Sequence, residues 1–115
     1  MPISLFAQTA INYGDNVSGA ISVVGEMDEF TFNGASGDVI TMRFNKTSGT
    51  LTCYVELYDP QGTRLVSSSN GILDATLSAT GVFKFIVRDD NNKHTGNYDL
   101  SIQCLNRPGG VVDIA

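Results

Sequence analysis

From Gly81 to Cys104 the chain reads GVFKFIVRDDNNKHTGNYDLSIQC, and this stretch restricts the fold more than any other. Phe83, Phe85 and Val87 share one parity against Lys84 and Arg88, while Tyr98, Leu100, Ile102 and Cys104 share one against Asp99, Ser101 and Gln103. Period two is the repeat of a strand with one face buried. Between the arms, Arg88 to Gly96 is a run of Asp, Asn, Lys, His, Thr and Gly, residues that bond their own backbone or accept positive φ. The pattern predicts a hairpin whose apolar face is covered by a second sheet.

The same alternation recurs upstream. Val17, Gly19, Ile21 and Val23 predict a strand ending at Gly25, and Phe30 and Phe32 a second with acids at its entrance. Ile40, Met42 and Phe44 mark a third, followed by a loop from Asn45 to Thr50. Cys53, Val55 and Leu57 alternate with Thr52, Tyr54 and Glu56 until Asp59-Pro60-Gln61-Gly62, where Pro presets φ and Gly allows the reversal. Short strands follow around Leu65 and over Leu73, Ala75 and Leu77. No window carries the i, i+3, i+4, i+7 spacing of an amphipathic helix, and Gly or Pro interrupts nearly every candidate. About eight short strands spaced by roughly 8 to 12 residues predict an all-β, antiparallel sandwich. The expected organisation is a leader over residues 1–15, a sandwich over 16–105 and a tail or linker over 106–115.

A chain of 115 residues suits one domain with one core. A net charge of -5 without clustered Lys or Arg removes the electrostatic term that supplies most nucleic-acid affinity, and it makes an anionic membrane a poor partner. No apolar run approaches the roughly 20 residues of a spanning helix, so membrane insertion is not expected. The start MPISLFAQTA lacks the basic and long apolar regions of a signal peptide, which leaves a cytosolic protein or a mature piece whose export signal lay upstream. The abundance of Gly, Ser, Thr and Asn points to an extracellular all-β module. Chemistry has little to stand on: His94 is the single histidine, sits in the turn-forming loop, and has no nucleophile elbow to work with. One histidine and two cysteines fall short of a four-ligand zinc site, and Asp89 to His94 departs from the calcium-loop pattern at Lys93. The chain is not expected to be an enzyme.

Six segments in order carry a resemblance. They are Val17-Ser18-Gly19-Ala20-Ile21, Met27-Asp28-Glu29-Phe30-Thr31-Phe32, Ser36-Gly37-Asp38-Val39-Ile40-Thr41-Met42, Leu57-Tyr58-Asp59-Pro60-Gln61-Gly62, Ala79-Thr80-Gly81-Val82-Phe83 and Thr95-Gly96-Asn97-Tyr98-Asp99-Leu100-Ser101. In this set the chain resembles the bacterial pre-peptidase C-terminal domain family. The resemblance implies a jelly-roll-like β-sandwich serving as a non-catalytic accessory module of secreted bacterial proteins, often beside a peptidase. Related collagen-binding modules hold calcium, and Asp28 occupies a position similar to one of those ligands. Gly25 stands where another acid is expected, and the leader lacks the acidic cluster. Two readings stay open here: a partial calcium site of Asp28, Glu26 and Asp15, or carboxylates that solvate a sheet corner.

Other residues also allow two readings. Cys53 and Cys104 share inward parity, as a disulfide or as two free core thiols. Tyr54, Glu56 and Tyr58 share outward parity, as a surface for a protein or polysaccharide or as cross-strand packing. The expected function is a secreted or cell-surface module that binds such a surface or supports an adjacent domain of its parent chain. The alternative is a unit of a tandem array or self-assembling fibre, joined through Ile3 to Phe6 or through Val111, Val112 and Ile114.

Overall fold

A computed structural model describes residues 6–106, and these form nine strands: β1 (Phe6–Ala10), β2 (Asn16–Ile21), β3 (Met27–Gly34), β4 (Val39–Gly49), β5 (Cys53–Tyr58), β6 (Arg64–Ser68), β7 (Ile72–Thr76), β8 (Gly81–Asp89) and β9 (Gly96–Cys104). Ile3, the tether from Arg107, and Val111, Val112 and Ile114 lie outside the described residues. The strands divide into a five-stranded sheet ordered β1-β3-β8-β5-β6 and a four-stranded sheet ordered β2-β9-β4-β7. The all-β sandwich expected from the alternation is present. All pairs are antiparallel except β1 with β3, which run parallel. No helix of the described residues is long and apolar enough to cross a membrane.

The core is the sum of the inward parities. Phe83, Phe85 and Val87 of β8 are fully buried, as are Tyr98 and Ile102 of β9, with Leu100 at 2% exposure. Phe32 stacks on Phe83 at 5.6 Å and on Phe85 at 5.1 Å between ring centroids, so the β3–β8 pair contributes a continuous aromatic layer. Each such ring is worth about 1.5–3 kcal/mol in burial alone.

The predicted hairpin is not formed. β8 bonds to β3 and β5, β9 bonds to β2 and β4, and residues 90–95 cross from one sheet to the other. Alternation reports which face of a strand is buried, and two strands facing each other across a core satisfy it as well as two neighbours in a ladder. What shapes the crossing is one side chain. The buried Asp89 carboxylate accepts the backbone N–H of Thr52 at 2.9 Å, Asn91 at 3.2 Å, Lys93 at 2.9 Å and His94 at 3.1 Å, with the His94 ring nitrogen Nδ1 at 3.2 Å. Asn92 takes the left-handed conformation at φ 57° within this arch. Burial alone would raise the Asp89 pKa, but the donors overcome it and hold the group below the ordinary carboxylate range.

Two further expectations change. The first strand stops at Ile21, since Val23 is 56% exposed in a turn closed by the Glu26 N–H to the Val23 carbonyl. The segment from Asn45 is strand, not loop: β4 continues to Gly49 along the start of β9, with a bulge between Lys46 and Ser48. Its side chains there are all exposed, so no apolar alternation could announce it.

Replacing Asp89 by Ala removes the shared acceptor of four backbone N–H groups and of the His94 ring, and the expected loss is about 3 kcal/mol or more in urea unfolding. Asp90→Ala, beside it but exposed, should stay within about 0.5 kcal/mol. Because the Asp89 pKa is depressed on folding, its contribution is present above the ordinary carboxylate value and fades as the pH falls.

Candidate functional site

The outer face of the five-stranded sheet gathers the outward residues of β5. The Arg88 guanidinium lies over the Tyr54 ring at 4.5 Å, and Lys84 Nζ lies 5.5 Å from the Tyr58 ring. Between the two tyrosines, Glu56 meets Arg64 Nη1 at 3.0 Å and Arg88 Nε at 3.5 Å. Lys84 also pairs with Glu29 at 3.2 Å. Ladder register explains the layout: Glu56 and Glu29 both flank Ile86, while Arg88 faces Tyr54 and Lys84 faces Tyr58. Glu56 is buried although it points away from the core, because long basic side chains lie across it. Burial, then the neighbouring Glu56, raises the Tyr58 pKa.

A second constellation sits where β3 of one sheet meets β2 and β9 of the other. Asp28 shares the inward parity of Phe30 and Phe32, and the Tyr98 hydroxyl donates to its Oδ2 at 2.5 Å, bonding sheet to sheet. Tyr98 packs edge-on to Phe30 at 6.5 Å between centroids. Its ring lies over Gly19, its ladder partner, where an added Cβ would stand 2.5 Å from the phenol. Glu26 Oε1 accepts the N–H groups of Ser22 at 2.8 Å and Val23 at 3.3 Å, which brings its carboxylate beside Asp28. Burial, and then Glu26 at its side, raise the Asp28 pKa to about 7. Glu26 moves the other way: burial opposes the shift, and hydrogen bonds from Asp28, Ser22 and Val23 lower it. The pair lines a cavity of about 270 Å³ with Thr9, Val17, Ala20 and Phe30.

Asp15 does not join them. Its Oδ2 closes a turn by accepting the Asn12 N–H at 2.8 Å, and its carbonyl accepts from Ile102, four residues along β9 from Tyr98. That separation is about 13 Å of strand. Among the described residues no group of three or more His, Cys, Asp or Glu side chains could hold a metal ion.

Cys53 and Cys104 are both free and buried, so of the two readings the structure has the free core thiols. Cys53 is level with Asp89, at the end of the sandwich where the chain enters β9, and Cys104 closes the far end of that strand. Burial pushes the Cys53 thiol up to about 11, in keeping with a small apolar core residue. His94 serves the Asp89 arch. Tyr98 and Asp89 were missed as organising residues, although the signal existed for one: Asp28 and Tyr98 both fall on inward parity, and a buried carboxyl needs a donor.

No family model matches the chain, and neither does any curated protein. Solved structures do match. PliG of Aeromonas hydrophila, a periplasmic inhibitor of g-type lysozyme, superposes with a TM-score of 0.68 at 13% identity, covering 85% of this chain and 97% of that one. The pre-peptidase C-terminal domain of Bacillus anthracis collagenase gives a TM-score of 0.64 at 20% identity, covering 84% and 94%. PliG of Salmonella Typhimurium gives 0.65 at 18% identity, covering 84% and 97%. These likenesses are of fold, and they bear out the resemblance at that level.

The Asp28 pKa lies above its ordinary value in the folded state, so its contribution to stability is present at acid pH and is lost as the pH rises through about 7. Urea unfolding of wild type against Asp28→Asn should therefore show wild type losing ground to the variant between roughly pH 4 and pH 8. A constant difference across that range would show that the carboxyl is not perturbed.

Proposed function

We propose that this chain, which shares its fold with small non-catalytic β-domains, is an extracytoplasmic binding module that docks on a protein through the outer face of its five-stranded sheet. The observation that carries the reading is the arrangement of Tyr54, Glu56 and Tyr58 under Arg88, Lys84 and Arg64. Tyr and Arg are the residue types that dominate protein interfaces. Here both tyrosines are flanked by cations before any partner arrives, so less side-chain freedom is lost on binding. The PliG proteins, which share the fold, are inhibitors of a protein and are periplasmic, which supports a protein partner and a location outside the cytoplasm. Catalysis has no comparable support: the imidazole of His94 bonds the buried Asp89, whose other bonds hold the arch together.

A photo-crosslinking residue placed at Tyr54, and separately at Asp74 of the other sheet, tests this in the extracellular or envelope fraction of the producing organism. Tyr54 should give a discrete protein adduct that Arg88→Glu abolishes, and Asp74 should not. Equal adducts from both positions contradict the reading. So does saturable binding on a glycan array that Tyr54→Ala removes, because the face would then serve a polysaccharide.

A further inference from the structure

The cavity beside Asp28 has one apolar wall, formed by Val17, Ala20, Phe30 and the Tyr98 ring, and one acidic end, formed by Glu26 and Asp28. Asp28 is only 4% exposed; its Oδ2 is occupied by Tyr98, and apart from a proton shared with Glu26 its Oδ1 meets no donor. Glu26 Oε1 is likewise occupied, by two backbone N–H groups. One oxygen of each carboxyl is thus left without a backbone or hydroxyl donor, and two such oxygens side by side call for a positive group between them. Among the described residues no Lys or Arg lines the cavity.

We infer that this cavity is a recognition pocket for a primary ammonium group, the tip of a lysine side chain on a protein partner, with its aliphatic stem along the Val17, Ala20 and Phe30 wall. The free oxygens select this occupant. A compact ammonium with three rotatable donors can bridge single oxygens on two carboxyls, whereas a guanidinium fork wants both oxygens of one carboxylate. Calcium takes about six to eight oxygens, more than this end of the cavity offers. In the free protein the bridging charge is a proton shared by the two acids, and the ammonium displaces it. The titratable groups facing the site are Glu26 from the β2–β3 turn, Tyr98 from β9 and the more distant thiol of Cys53 from β5. This pocket deepens the protein-binding reading by naming one feature of the partner, but it lies away from the Tyr54 face, and a small probe tests it without that partner.

The probe is Nα-acetyl-lysine methylamide, titrated into the protein and followed on backbone amides by two-dimensional NMR. Saturable shifts should centre on Gly19, Asp28 and Tyr98, and the affinity should rise as the pH is raised from roughly 5.5 to 8, as the resident proton becomes easier to displace. Asp28→Asn and, independently, Glu26→Gln should each weaken binding by about tenfold or more. If one variant fails to fold, the other gives the answer. The norleucine analogue, which lacks the amine, should produce no saturable shift. The inference is overturned if the norleucine or arginine analogue binds as well as the lysine probe, if calcium saturates the site and the lysine probe does not, or if affinity is flat with pH. Each of these results leaves the crosslinking test at Tyr54 unaffected.

Discussion

The structure depends on two central strands that face each other across the core without touching in a ladder. β8 and β9 follow one another in sequence, yet each is bonded on both sides by strands of its own sheet. Their inward residues meet in a single hydrophobic cluster that takes in Phe30, Phe32, Ile40, Met42, Val55 and Leu57 from the neighbours. Because burial of these faces supplies the dominant driving force, whatever holds the six-residue crossing at 90–95 in shape decides whether the two halves can close. Asp89 does so from the end of β8 and binds Thr52 just before β5 as well, tying the arch to the sheet it leaves.

Closing the sandwich in this way also makes the two candidate sites. At the β1–β2 side, where the edges of the sheets lie together, the inward parity of β3 delivers Asp28 to Tyr98 instead of to water. Gly19 makes this possible, since any side chain there would occupy the space of the phenol. On the opposite face of the five-stranded sheet, the same register sets basic side chains on β8 against tyrosines on β5. Isolated surface ion pairs are worth little, about 0–1 kcal/mol, but Glu56 is shielded and shared by two arginines, one of which, Arg88, lies over the Tyr54 ring.

Much of this could be read from the residues, and the failures have a common cause. Parity placed Phe83, Phe85, Leu100 and Ile102 inward, and Tyr54 and Tyr58 outward, because one buried face per strand is a local property. It could not say which strands are neighbours, so β8 and β9 were joined as a hairpin. The far end of β4 escaped because a solvated strand carries no apolar alternation, and Phe6–Ala10 escaped because its evidence is a parallel pairing with β3 made at a distance in sequence. For Cys53 and Cys104, parity was right and the question was one of position along the strands, which only the register answers. The carboxyl pair was half legible: Glu26 and Asp28 stand two residues apart, whereas Asp15 belongs to a turn capped by its own side chain.

The most direct test of this account is the pattern of short Hα–Hα contacts between strands in a NOESY spectrum. Contacts from β8 should run to β3 and β5, and those from β9 to β2 and β4. A set of such contacts joining β8 to β9 in antiparallel register would contradict the sandwich described, because the two strands would then be ladder neighbours and the core between them would not exist.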